Sequence, residues 1–138
     1  YLANLMLYTS SVKNILGRFG LDAAPSLSIL GGLIGQAISK SIKSDNVEDV
    51  IRDVISFWGR HKLGRIEIVE KDPLTFLVHE RYHLDGLPET GATLCLFDEV
   101  ILKSVLETKL GVNCVVKETE CHGTGHDHCR FEIRISRT

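Results

Sequence analysis

Hydrophobic residues recur at two different spacings along this chain, and the spacing changes near Leu63. Before Leu63, apolar side chains return every three or four positions, which is the period of an amphipathic helix. After Leu63, Ile66 and Ile68 alternate with charged residues, as they do in a strand that buries one face. A chain with helices first and strands later is expected to fold as an α+β domain.

Three helices are predicted in the first part of the chain. The first ends near Gly20, a residue type that is common just after a helix C-terminus. The second follows Pro25, and the third begins at Asp45, whose spacing from Glu48 resembles a capping box. Each helix carries its apolar residues on one stripe, so each is expected to pack against a common core.

The second part of the chain predicts two hairpins separated by a helix. The first hairpin turns at Pro73, a loop covers residues 84–91, and a helix then runs to Gly111. The last hairpin combines residues 113–120 with residues 130–135. We therefore expect one domain over residues 1–138, with an antiparallel sheet of two hairpins and helices packed on one face.

Composition narrows the possible partners and the cellular compartment. The chain has 138 residues and a formal net charge of −2, which gives no electrostatic reason to bind nucleic acid or an anionic membrane. The most apolar stretch, residues 28–42, contains three glycines and is too short to span a bilayer. Four cysteines are too few for a secreted disulfide scaffold, so a cytoplasmic location is predicted. Because the chain begins at Tyr1, we interpret it as a domain of a longer protein.

The turn between the last two strands concentrates side chains that bind metals. Cys121 and Cys129 flank three histidines and two glycines. Thiolate and imidazole are the ligands that zinc prefers, and the glycines allow the backbone to turn back on itself. The two cysteines are farther apart than in a common zinc knuckle, so their spacing indicates a metal site without identifying the metal.

Three sequence features occur in an order that resembles the vinyl-4-reductase domain family. They are Gly-Arg-Ile-Glu-Ile at residues 64–68, Cys95 before a helix, and Glu118-x-x-Cys121 with Cys129-Arg-Phe-Glu-Ile. The resemblance extends from the second helix to the end of the chain. Stand-alone archaeal proteins described as predicted hydrocarbon-binding proteins are the most similar in layout.

The resemblance implies a zinc ion held by Cys95, Glu118, Cys121 and Cys129. Four protein ligands leave no open coordination position, so this zinc would be structural and would clamp the fourth helix to the C-terminal hairpin. Residues 118 and 121 have opposite parity on a regular strand, so both can face one metal only if the strand bulges or ends between them. Glu120 and His122 remain alternatives to Glu118.

The resemblance also implies an apolar pocket for a small hydrophobic or aromatic ligand. Trp58, Phe76, Phe57 and Phe97 are the candidate lining residues, although aromatic residues with this spacing are also typical of an ordinary core. Cys114 lies among valines and is interpreted as a core residue. The remaining histidines are interpreted as ordinary or exposed side chains.

Function is predicted mainly from this resemblance. No nucleophile with a base, phosphate loop or dinucleotide motif is present, so a non-catalytic ligand sensor is the leading hypothesis. Its ligand would bias a homodimer, formed through a helical extension at residues 1–24, or an attached output domain. The alternatives are an enzyme or accessory protein of tetrapyrrole vinyl reduction, and an assembly scaffold similar to the small subunits of vesicle-tethering complexes.

Overall fold

The computed structural model describes residues 2–80 and 96–136, which form four helices and four strands. In chain order they are α1 (Leu2–Arg18), α2 (Ala24–Ser41), α3 (Val47–Arg60), β1 (Arg65–Lys71), β2 (Leu74–His79), α4 (Leu96–Leu110), β3 (Asn113–Glu120) and β4 (Cys129–Ser136). The predicted α+β class is therefore confirmed. The predicted loop at residues 84–91 and the candidate ligand Cys95 lie outside the described residues.

The start of α3 differs from the prediction by one residue. Asn46, with extended backbone angles, is the N-cap, and its side chain accepts a hydrogen bond of 3.0 Å from the backbone N–H of Asp49. The Asp49 carboxylate accepts a second bond of 2.7 Å from the Asn46 amide. The capping pair is thus Asn46 and Asp49 rather than Asp45 and Glu48, because both pairs have the same spacing and only the backbone geometry distinguishes them.

The four strands form one antiparallel sheet in the order β1-β2-β4-β3. The hairpins β1–β2 and β3–β4 are joined by pairing of β2 with β4, in which Val78 lies opposite Cys129 and Phe76 opposite Phe131. Strand β4 is therefore an inner strand, and it carries one end of the predicted metal site into the core.

Helices α3 and α4 cover the inner face of the sheet. Their apolar residues and alternate residues of the strands form a single core, and the largest fully buried side chains include Trp58, Phe76, Ile101, Leu106 and Phe131. Burying each such side chain contributes ~1.5–3 kcal/mol relative to leaving it in water. This core places α4 directly beside β3, where the metal site is predicted.

Helix α2 forms an outer layer by packing on α4 rather than on the sheet. The hydroxyl of Ser104 in α4 donates a hydrogen bond of 2.9 Å to the carbonyl oxygen of Gly32 in α2. Together α1 and α2 leave large apolar side chains in solvent: Tyr8, Val12, Ile15, Phe19, Ile29, Leu30 and Leu33. Among the described helices, none combines the length and hydropathy of a membrane span.

Candidate metal centre

The turn between β3 and β4 is built around Cys121. The carbonyl oxygen of Cys121 accepts hydrogen bonds from the backbone N–H groups of Thr124, at 3.1 Å, and His126, at 3.0 Å. The Thr124 hydroxyl is 3.0 Å from the backbone nitrogen of Cys121 and fixes the start of a short 3-10 turn, His122–Thr124. Gly125 then adopts a left-handed conformation with φ 88, which allows the chain to return toward Cys129.

An irregularity in β3 changes the direction in which its last side chains face. The register with β4 shifts between Glu118 and Glu120: Glu118 lies opposite Phe131 and Glu120 opposite Arg130. A bulge of this kind inserts one extra residue and reverses the alternation of side chains beyond it. Glu118 and Cys121 can therefore both face the core, which is the condition that the sequence required for a shared metal.

Glu118, Cys121 and Cys129 form a compact, buried group of metal-binding side chains. One ligand atom from each of the three lies within 4.8 Å of the others, and all three residues are buried. The two sulfur atoms are 3.9 Å apart, and both cysteines are free rather than joined in a disulfide. This group could hold a metal ion at the junction of β3, β4 and the turn.

Helix α4 contacts the group through Glu99, which the sequence analysis did not identify. The Glu99 carboxylate accepts a hydrogen bond of 2.7 Å from the backbone N–H of Glu118. Burial raises the pKa of Glu99, although this hydrogen bond and the positive charge of Lys13 oppose the rise. The only sequence signal for Glu99 was its position in the first turn of the helix that follows Cys95.

The two alternatives to Glu118 are not in the three-residue group. Glu120 instead contacts His128, with 2.7 Å between the carboxylate and the ring nitrogen Nε2. This contact lowers the pKa of Glu120 and raises the pKa of His128. His122 lies in the 3-10 turn and is half-buried, like His126 and His128, so the expectation that these histidines are exposed overstated their accessibility.

Cys114 differs from the other described cysteines in its surroundings. It is buried on β3 among apolar residues, as predicted. Burial, reinforced by the negative charge of Glu107, raises the pKa of its thiol to about 11. Cys114 therefore stays a neutral core side chain, while Cys121 and Cys129 lie beside a carboxylate.

The four aromatic candidates all belong to the core, but they have different neighbours. Trp58 and Phe76 are fully buried, and Phe97 is nearly so. The indole nitrogen of Trp58 is 3.4 Å from the carboxylate of Asp98, a buried polar group in α4 that the sequence analysis missed. Phe57 stacks on the ring of His61 with 4.1 Å between centroids, close to the end of α3.

Comparison with protein families and curated proteins gives a consistent assignment. The family model of the vinyl-4-reductase domain matches residues 74–135, which include Glu118, Cys121 and Cys129. Uncharacterized protein MJ1642 of Methanocaldococcus jannaschii is 32% identical over 101 residues, covering 73% of this chain and 60% of that protein. Uncharacterized protein MJ0150 of the same organism is 26% identical over 102 residues, covering 72% of this chain and 57% of that protein. This chain therefore spans less than two thirds of the length of these relatives.

Solved structures share the fold at low sequence identity. A vinyl-4-reductase family protein from Methanocaldococcus jannaschii has a TM-score of 0.66 at 20% identity, covering 99% of this chain and 82% of that one. Subunit 3 of a trafficking protein particle complex from Naegleria fowleri, covalently bound to palmitic acid, has a TM-score of 0.75 at 13% identity, covering 99% and 96%.

A third structure is the phenol-responsive sensory domain of the transcription activator PoxR with phenol. Its TM-score is 0.68 at 15% identity, covering 94% of this chain and 74% of that one. The sequence resemblance, the family match and the shared fold agree. The chain contains a vinyl-4-reductase domain, which covers residues 74–135 and carries the three candidate metal ligands.

Proposed function

We propose that this chain is a zinc-stabilised binding module for a small apolar ligand and that it catalyses no reaction itself. The observation that carries the proposal is the buried group of Glu118, Cys121 and Cys129. In a tetrahedral site with Zn–S bonds of ~2.3 Å, two sulfur ligands are separated by ~3.8 Å. The separation of 3.9 Å between the Cys121 and Cys129 sulfurs fits this geometry, and it is far longer than the ~2.05 Å of a disulfide.

Cys95 is the proposed fourth ligand. Helix α4 begins at Leu96, directly after Cys95 in sequence, and the first turn of α4 reaches the site through the Glu99–Glu118 hydrogen bond. Three thiolates and one carboxylate would complete a tetrahedral shell without an open position for water. The metal would therefore stabilise the fold by joining α4 to the β3–β4 hairpin, and the free energy of metal binding would add to the free energy of folding.

The proposed ligand site lies in the interior between α3, α4 and the sheet. Trp58, Phe76 and Phe97 supply an apolar surface, and the Trp58–Asp98 pair supplies a polar group beside it. An apolar cavity with a few polar groups is typical of small-molecule sites. A small phenol suits this combination, because its ring would bury apolar area while its hydroxyl would hydrogen-bond to Asp98. The shared fold of the PoxR sensory domain with phenol supports the same ligand class.

Titration of the purified protein with para-ethylphenol tests the proposal. Binding should change the fluorescence of Trp58 saturably, raise the melting temperature, and return the phenol unaltered after denaturation. Phe76→Trp should weaken binding, measured by calorimetry, because the larger ring would fill the interior site. Phe19→Trp is the matched control, since Phe19 is 76% exposed on α1, and it should leave affinity unchanged. Equal affinities of the two variants, or no saturable response, would contradict the ligand site.

Signal output is proposed to pass through the exposed apolar face of α1 and α2. The seven large apolar side chains exposed there would be covered in a homodimer, with residues 1–24 contributing a helical extension to the interface. Ligand binding beside Trp58 would reach this face through α4, on which α2 packs.

A second candidate function, an assembly scaffold, rests on the same exposed face. The trafficking complex subunit from Naegleria fowleri shares the fold over nearly the whole of both chains. If the protein binds no small molecule but copurifies stoichiometrically with another protein, the scaffold is favoured. A specific spectral change with a vinyl-bearing tetrapyrrole would instead favour a role in vinyl reduction.

A further inference from the structure

A cavity of about 650 Å³ lies between the C-terminal end of α3 and the edge strand β1, outside the interior site. Its volume is within the range of small-molecule sites, ~300–1,000 Å³. Ile55 and Gly59 line it from α3, and Ile66 lines it from β1. Trp58 and Phe76 do not line this cavity, so it is distinct from the proposed phenol site.

The glycine in this lining is not explained by packing. Gly59 lies in the last turn of α3, where glycine is less favourable than alanine because it loses more backbone entropy on folding. A Cβ atom placed on Gly59 would meet no other atom within 4 Å. Alanine would therefore fit and would favour the helix. What glycine provides at this position is open space in the cavity.

The end of α3 shows a second unfavourable choice next to the same cavity. The N–H of Leu63 donates to the carbonyl oxygen of Trp58 at 2.9 Å, and the N–H of Lys62 donates to that of Gly59 at 3.2 Å. In this helix-terminating motif glycine usually occupies the left-handed position, but here Lys62 adopts it with φ 58. Glu80, on the other side of the cavity, is also left-handed, with φ 59.

Three residues around one cavity thus depart from the locally most stable choice. Residues held in sparsely populated backbone conformations cluster at functional sites, where the surrounding structure maintains them. Glycine at position 62 would relieve the strain but would remove an ammonium group from the cavity. The departures together favour a binding role for this cavity over incidental surface shape.

The charges of the lining indicate what would bind. Lys62, Arg65 and Glu80 contribute two positive charges and one negative charge. Arg65 forms an ion pair with Glu80, with 3.3 Å between Nε and Oε1, whereas Lys62 has no ion pair with any residue that the structure describes. The cavity therefore combines an apolar wall with one uncompensated cation, which suits an anion that carries an apolar body.

We propose that this cavity binds a small amphipathic carboxylate. Its apolar body would lie against Ile55 and Ile66 in the space beside Gly59, and its carboxylate would bind Lys62 and Arg65. An ion pair with Arg65 would exchange one carboxylate, that of Glu80, for another. The site requires neither the metal nor the interior ligand, so its failure would leave the proposed function untouched.

An NMR titration of ¹⁵N-labelled protein with decanoate, below its micelle concentration, tests the proposal. Saturable shifts are expected at the backbone amides of Gly59, Gly64 and Ile66. Decanol has the same apolar chain without the charge, and it should bind at least about fivefold more weakly, the effect of one partly exposed ion pair. Comparable binding of the two compounds, no saturable shift, or shifts confined to the interior around Phe76 would overturn the proposal.

Two substitutions separate binding from folding. Gly59→Leu should fill the cavity and abolish decanoate binding, while Gly59→Ala should raise the melting temperature and verify that a side chain is tolerated. Lys62→Asn removes the charge with a residue that tolerates the left-handed conformation, and it should weaken binding about fivefold without lowering the melting temperature. Lys71→Asn, at the far end of β1, is the control and should bind normally. Wild-type affinity in Gly59→Leu or in Lys62→Asn would overturn the assignment.

Discussion

The contact between α2 and α4 predicts a large difference between two neighbouring glycines. A Cβ atom added to Gly35 would lie 2.4 Å from the Cβ and 2.6 Å from the Oγ of Ser104, and 3.1 Å from the carbonyl oxygen of Ile101. The Ser104 Cβ is fixed by its own helix, so it cannot rotate away. Gly35→Ala must therefore push α2 away from α4.

The expected loss of stability follows from three contributions. Overpacking of this kind costs ~1–3 kcal/mol. Separation of the helices would also break the hydrogen bond from Ser104 to Gly32, which contributes ~0.5–1.5 kcal/mol. The better helix propensity of alanine returns ~1 kcal/mol. Gly35→Ala should thus lower the free energy of unfolding by about 1–3 kcal/mol, or the melting temperature by roughly 4 °C per kcal/mol.

Urea denaturation of three variants provides the assay. Gly32→Ala is the matched control, because a Cβ there meets nothing within 4 Å, and it should stabilise the protein by ~0.5–1 kcal/mol. Adding Ser104→Gly to Gly35→Ala should restore much of the lost stability, since it removes the atoms that clash. Equal stabilities of Gly35→Ala and Gly32→Ala, or no recovery in the double variant, would refute the described packing.

Three further predictions concern the metal support, the core cysteine and the exposed face. Glu99→Ala should lower stability by ~1–3 kcal/mol, because the backbone N–H of Glu118 loses its acceptor, and should weaken metal affinity ~10-fold, whereas Glu99→Gln should keep both in urea and competition titrations. Cys114, with a pKa of about 11, should resist iodoacetamide at neutral pH in the folded protein and react after denaturation, as peptide mass spectrometry can show. Combining Ile29→Glu with Leu33→Glu should convert the proposed homodimer to a monomer by light scattering, and a wild-type monomer at micromolar concentration would contradict the dimer.

Periodicity was sufficient to predict the elements of this fold but not every detail of their ends. Burial of one face imposes its period on the sequence, so all four helices and both hairpins were predictable. The N-cap of α3 was not, because Asp45 and Asn46 both have an acidic residue three positions later. Likewise, the outer position of α2 depends on Gly35 fitting against Ser104, a contact between residues distant in sequence.

The metal site shows a similar division between local and long-range information. Cys121 and Cys129 were predictable as candidates because they flank a turn with suitable chemistry. The bulge before Glu120 was not, since it depends on the register with β4. Glu99 escaped notice because a carboxylate in the first turn of a helix is normally explained by the helix dipole. Its hydrogen bond to Glu118 is visible only once α4 and β3 are placed side by side.

Metal analysis of the purified protein by mass spectrometry is the most direct test of the proposed zinc site. We expect one zinc per chain, with Cys121→Ser and Cys129→Ser losing the metal and unfolding at markedly lower temperature. Cys114→Ser should retain one zinc, because this core thiol lies outside the three-residue group. Absence of zinc from the wild-type protein after refolding with the metal, or equal zinc content in all three variants, would contradict the assignment of Cys121 and Cys129 as ligands.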